Sequence, residues 1–147
     1  MKIDTTNIDI IRELKQGKKS YKKIADKLDI TENTVRARVN RLQEEGILEI
    51  CGLVDASKIP GHQAVLIGIK LTEMNLVEKG EEISKLNGVI SVSVVTSRYD
   101  LLVFVLLKKG FGLLEFYTDE MSRVDGVRSV ETFVVYKSYN LKVPYIL

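Results

Sequence analysis

One cysteine, one histidine, two prolines and no tryptophan occur among the 147 residues. A single cysteine, Cys51, cannot close an internal disulfide, so a disulfide-stapled secreted scaffold is excluded and a cytoplasmic location is expected. Cys51 itself reads as a small buried hydrophobe beside a strand, with a disulfide across a dimer as the sharper alternative. The lone histidine, His62, has no Cys/His grouping around it and no serine or cysteine arranged as a triad partner. No metal ligand, catalytic residue or cofactor is therefore expected. The longest unbroken apolar run, Leu101–Leu107, is too short to cross a bilayer, and no membrane partner is expected. The N-terminus opens on an amphipathic helix, Asp4–Lys15, instead of a signal peptide. An excess of one charge is missing too: 22 basic residues stand against 20 acidic ones, a net of +2.

That small net charge is unevenly placed. Between Lys15 and Gln43 nine basic residues (Lys15, Lys18, Lys19, Lys22, Lys23, Lys27, Arg36, Arg38, Arg41) face three acids (Asp26, Asp29, Glu32), a local net of +6. Concentrated positive charge is what neutralisation of a phosphate backbone requires.

The same stretch, Ser20–Gly46, reads as two short helices joined by a tight turn. Ile24, Ala25 and Leu28 form one apolar face, with Ser20 as the N-cap. Ala25 is small enough for a close helix crossing. Asp29 stands where such turns usually carry glycine, and aspartate tolerates a left-handed backbone. Ile30 fills the space between the helices, and Thr31 caps the second. Val35, Val39 and Leu42 recur at i, i+4 and i+7 and face the core, and Gly46 ends the helix. Glu32, Asn33, Arg36, Ala37, Asn40 and Arg41 are left facing outward, with Thr34 close by. These are the candidates for reading base edges of double-stranded DNA, Arg36, Asn33 and Arg41 foremost. Lys18, Lys19, Ser20, Tyr21 and Lys22 are candidates for phosphate contact. Arg38 lies on the edge of the inner stripe, where an arginine packs its stem and pairs with an acid; Asp9 or Glu13 is the expected partner, with phosphate contact as its other role.

Turn formers at DASKIPG, Asp55–Gly61, divide the chain. Residues 1–54 are expected as the helix-turn-helix domain, Ile47–Val54 adding a β-hairpin wing or extended arm. Residues 55–62 form a hinge, and 63–147 a second domain. In that domain NGVISV (Asn87–Val92) returns as DGVRSV (Asp125–Val130). Each copy opens a strand, Val89–Thr96 and Val127–Tyr136. Each follows an amphipathic helix, Leu76–Leu86 and Leu113–Val124, which follows another strand, Ala64–Leu71 and Leu101–Leu107. Two strand–helix–strand units predict a ferredoxin-like βαββαβ sheet, helices on one face, in an α+β chain. Strands as apolar as LLVFVLL expect cover on both sides, and a second copy of the domain would supply it as a homodimer.

With both halves placed, the chain resembles the Lrp/AsnC, or feast/famine, family of transcriptional regulators over nearly its full length. Ile3-Asp4 and Ile10-Ile11 are similar to the family's N-terminal pattern, with Asn7 where a second aspartate is expected. Thr34-Val35, Arg38, Leu42 and Gly46-Ile47 resemble its signature helix, and Ile59-Pro60-Gly61 stands where it places a leucine-glycine. The resemblance implies a winged helix-turn-helix followed by a ligand-responsive RAM domain, whose effector is usually an amino acid. It implies a site near the turn between the second and third sheet strands, Thr96-Ser97-Arg98-Tyr99-Asp100, where the aromatic and acid match and Ser97 replaces a glycine. Thr132 on the last strand fits a family preference as well. Dimers, and octamers built from them, are likewise implied. Two alternatives remain at this point: a DNA-architectural protein without an effector, and a sirohaem decarboxylase-like enzyme, which shares the two-part layout. The latter expects histidine, asparagine and tyrosine on the second strand, where this chain reads VISVSVV.

Overall fold

The structure, a computed structural model, describes residues 3–15, 17 and 19–147. Contacts divide it into two units, one up to Gly52 and one from Leu53 onward. In the first, α1 (Thr5–Leu14) starts at Asp4, whose carboxylate accepts from the Asn7 N–H at 2.8 Å. Helices α2 (Tyr21–Leu28) and α3 (Glu32–Glu44) follow. Between them Asp29 takes φ 53°, the left-handed conformation that lets the chain turn sharply. Thr31 caps α3 by accepting from the Thr34 N–H at 3.1 Å. Ser20 occupies the N-cap position of α2, but its hydroxyl makes no capping bond and stays exposed.

Ile10, Leu14, Ile24, Ala25, Val35 and Val39 form the core of this unit, with Leu42 fully buried as well. Burial of each large aliphatic side chain contributes about 1.5–3 kcal/mol, which is why the 3.6-residue period decides which face of α3 turns outward. After Gly46, at φ 66°, the chain leaves the helix. Of the β-hairpin wing and the extended arm expected over Ile47–Val54, the hairpin is not formed, and residues 47–52 run on without helix or strand. Leu48 and Ile50 pack back on the helical core, which uses up the apolar residues a wing would need. Only Leu53–Val54 is a strand, β1; it already belongs to the second unit, within which it pairs with β6 (Val143–Pro144). Cys51, in the connection, is exposed and free instead of buried, because it precedes the strand and has no sheet to pack on.

The second unit is a four-stranded antiparallel sheet of β2 (Gln63–Leu71), β3 (Val89–Val94), β4 (Leu101–Leu107) and β5 (Val127–Val134), in the order β3-β4-β2-β5. The first crossover is α4 (Leu76–Ser84). The second is less regular: α5 (Leu113–Glu115) runs into a π-helical turn, Phe116–Glu120, and a 3₁₀ turn, Met121–Arg123. Phe116 and Met121 are both buried against the sheet, and their five-residue spacing fits one face only if the helix is widened there. The core is built from alternate strand residues: Val65, Ile67, Ile69 and Leu71 of β2 with Leu101, Val103, Val105 and Leu107 of β4. This is a ferredoxin-like fold behind an N-terminal helix-turn-helix, in an α+β chain.

The opposite face of the sheet is not wholly bare. Ala64, Ile90, Phe104 and Leu106 pack with Val54, Ala56, Leu141, Val143 and Leu147, so the chain's own first and last segments cover one end of it. Toward the other end Leu66 and Leu102 remain half-buried and Phe133 is exposed. Among the described residues no helix is long and apolar enough to cross a membrane.

Candidate nucleic-acid interface and ligand site

Helix α3 presents Glu32, Asn33, Arg36, Ala37, Asn40 and Arg41 to the outside, all exposed, opposite the buried Val35, Val39 and Leu42. Thr34 is half-buried, its hydroxyl 2.8 Å from that of Thr31. Two of the outward arginines are paired along the helix: Arg36 Nη2 donates to Glu32 Oε1 at 2.8 Å, and Arg41 Nε to Glu45 Oε1 at 3.2 Å. Exposed i,i+4 pairs of this kind are weak, on the order of 0.3–0.5 kcal/mol, so a stronger acceptor displaces them readily.

Lys19, Ser20 and Tyr21 meet Glu32, Arg36 and Asn40 around a cleft of about 380 Å³, open between the start of α2 and the outer face of α3. Lys22 is exposed one residue further on. Lys18 lies outside the described residues.

Arg38 points the other way. Its Nη1 donates to both Asp4 oxygens, at 2.9 and 2.7 Å, and to Asn7 Oδ1 at 2.8 Å, locking α3 to the start of α1. Neither Asp9 nor Glu13 is its partner: Asp9 pairs with Arg12 one turn along its own helix. Glu13 accepts from Lys19 and Lys27, each at 2.5 Å.

Those two lysines hold the Glu13 carboxyl at about 2, below its ordinary 4.5. A carboxyl depressed in the folded state stabilises the fold fully above its unfolded value, and that stabilisation disappears as pH falls from about 4.5 through about 2. Thermal melts between pH 5 and pH 2.5 should therefore show a falling Tm, less steep in Glu13→Gln. An unchanged slope in that variant would remove Glu13 from the account.

In the second unit the turn from Thr96 to Asp100 sits at the exit of β3. Ser97 and Tyr99 close it on each other: the Tyr99 N–H donates to Ser97 Oγ at 3.2 Å, and the hydroxyl is 3.3 Å from the Tyr99 carbonyl. Ser97 does not take positive φ, so serine is accommodated at this position without strain. Thr96 and Arg98 are exposed. The Tyr99 ring lies on the sheet over Gly68, where a Cβ would meet three ring carbons at 2.7–2.8 Å. Its edge meets Phe133, with centroids 5.8 Å apart.

Asp100 is buried, and both its oxygens are engaged: Oδ1 accepts from Lys70 Nζ at 2.7 Å and Oδ2 from the Leu71 N–H at 2.8 Å. The Lys70 hydrogen bond, with that from Leu71, holds the Asp100 carboxyl below its ordinary value. Thr132 is not brought to this turn. It pairs with Ile67 on the helix side of the sheet, and its hydroxyl is 2.6 Å from that of Tyr117. Successive strand residues face opposite ways, so it is Glu131 that joins the Tyr99 face. Glu131 accepts from both the Tyr99 hydroxyl and Arg98 Nη2, the latter 3.0 Å from each carboxylate oxygen.

These two units are also the two that match known families. Residues 3–49 match the winged helix-turn-helix DNA-binding family, and residues 64–143 the Lrp/AsnC ligand binding domain. The chain belongs to the Lrp/AsnC family. It is 31% identical to a helix-turn-helix-type transcriptional regulator of Pyrococcus abyssi, over 92% of this chain and 87% of that one. Its fold is similar to that of E. coli AsnC, with a TM-score of 0.71 at 19% identity over 96% of this chain and 97% of the other. A regulator of Neisseria meningitidis solved in complex with L-Met is similar at TM-score 0.69 and 18% identity, over 99% of this chain and 96% of that one. The chain is thus a transcriptional regulator with a DNA-binding helix-turn-helix and a ligand-binding domain.

Within this Lrp/AsnC chain the sequence reading missed Glu131 and Lys70. The period-2 alternation of β5 carries the signal for Glu131, since it separates that residue from Thr132. Gly68, a glycine inside a strand, is the signal that something lies close against β2. His62, beside the hinge, donates from Nδ1 to the Pro60 carbonyl and has Nε2 against the Tyr145 hydroxyl, each at 3.1 Å.

Proposed function

We propose that α3 enters the major groove with Arg36, Asn33 and Arg41 reading base edges and Glu32, Thr34, Ala37 and Asn40 completing the contact surface. Lys19, Ser20 and Lys22 hold phosphates and set the register. The observation that carries this reading is the exposed polar face of α3, set by three fully buried residues on its opposite side. The ligand domain pairs with a second copy across the Leu66, Leu102 and Phe133 end of the sheet. The apolar face left over there supports this. An amino acid bound near Tyr99 shifts how dimers associate, up to octamers, and so alters the spacing of the DNA-binding units. The likeness to a regulator solved with L-Met supports the ligand class. The protein works in the cytoplasm as a regulator without catalytic activity of its own.

A gel-shift against the protein's own promoter and a scrambled duplex, with and without pooled amino acids, tests the whole reading. Promoter-selective binding that moves with the pool supports it. Selective binding deaf to the pool removes the effector, and equal binding to both duplexes favours an architectural protein. Arg36→Ala should cost about 1–3 kcal/mol at a single base position, whereas Lys22→Ala should weaken all duplexes alike and reduce the salt slope by about one. A loss that depends on sequence for Lys22→Ala would contradict its placement.

A further inference from the structure

Arg36 is held before any DNA is present. Its guanidinium carbon lies 5.4 Å from the centroid of the Tyr21 ring, and its Nη2 donates to Glu32. At that distance the ring face attracts the cation. Tyr21 is half-buried and packs against the helical core, so the fold sets the ring's place. The arginine is therefore supported from two sides, by a ring on α2 and by a carboxylate one turn back on α3. A guanidinium carries five N–H donors in a fixed fork. The single bond to Glu32 leaves a second pair of them free. Two parallel donors in one plane match a base edge with two adjacent acceptors, which in the major groove is guanine O6 and N7.

We propose that Tyr21 is a positioning residue for specificity: its ring, not its hydroxyl, aims Arg36 at a guanine. This departs from the phosphate contact that the sequence suggests for Tyr21, and it rests on the reading of Arg36 as a base contact. The two roles differ in what they predict. A phosphate-binding hydroxyl affects every duplex equally. A ring that aims a reading side chain affects one base pair and leaves the others alone.

The test uses the full chain on duplexes selected from a randomised pool, then on all single-base variants of the selected site. In Tyr21→Phe, affinity and base preference should stay within about twofold of the parent, because the ring is kept. In Tyr21→Leu, apolar packing is largely kept and the aromatic face is lost. Its preference for guanine at one position should fall about five- to tenfold, with affinity for scrambled duplex unchanged. Arg36→Ala should lose preference at that same position, and adding Tyr21→Leu to it should cost no further preference.

A Tyr21→Phe chain weakened equally on all duplexes would overturn the proposal in favour of the phosphate contact. Normal preference in Tyr21→Leu would overturn it while leaving Arg36 as a base contact. If Arg36→Ala changes preference nowhere, both readings fall together. Circular dichroism checks that Tyr21→Leu is folded; should it not be, the Tyr21→Phe result still decides against the proposal if binding drops uniformly, and supports it if binding is kept.

Discussion

Arg38→Ala is expected to lower the melting temperature of the helix-turn-helix unit by roughly 5–15 °C. The reason lies in Asn7, which is 2% exposed and whose Oδ1 accepts from Arg38 at 2.8 Å. A buried acceptor left without its donor costs about 1–3 kcal/mol. The charge balance of the cluster explains the residue types. Asp4 supplies the one carboxylate that Arg38 needs, and its own carboxyl is held low by that arginine first. Asn7, where the family pattern expects a second aspartate, adds a buried acceptor without burying a negative charge, while Asp4 itself stays exposed. Arg38→Lys should recover part of the loss, since an ammonium keeps donors for both acceptors but stands on a shorter stem than the one that brings Nη1 to Asp4 and Asn7. The contrasting outcome is clear: a phosphate contact would leave the melt unchanged in Arg38→Ala and reduce the salt slope of DNA binding by about one.

The second large effect is expected at Asp100. Asp100→Ala strips the acceptor from the Leu71 N–H, which is buried, and the counter-charge from Lys70. Loss of the acceptor for that N–H costs about 1–3 kcal/mol. Asp100→Asn keeps an oxygen for Leu71 and should restore most of the stability in thermal melts. Because both carboxylate oxygens already serve the fold, any amino acid that shifts the DNA-binding pattern should still do so in Asp100→Asn. A stable Asp100→Asn chain deaf to that amino acid would return Asp100 to the role of ammonium acceptor.

The fold was legible wherever a short-range pattern carries it. The left-handed Asp29, the Thr31 cap, the Val35–Val39–Leu42 stripe and the repeated strand–helix–strand unit all depend on neighbours within a few residues. What the sequence left hidden is long-range. The partners of Arg38 lie 31 and 34 positions away, and nothing local separates Asp4 and Asn7 from the equally acidic Asp9 and Glu13. Leu53 and Val54 read as part of a wing because their true partners, Val143 and Pro144, stand at the far end of the chain. In the turn from Thr96 to Asp100 the order of residues is legible but their side-chain partners are not. Asp100 accepts from Lys70 Nζ and the Leu71 N–H, and the carboxylate that faces Tyr99 comes from a different strand.

The pairing of β1 with β6 has a mechanical side. Any tension that reaches the ligand domain along residues 47–52 arrives first at Leu53 and Val54. These are anchored by two residue pairs and the small Ala56–Leu106–Val143 cluster, not by the long ladders of the four-stranded sheet. Two residue pairs hold far less than the seven of the β2–β4 ladder, so pulling on this strand is expected to peel the ribbon away like a zip before the sheet behind it yields.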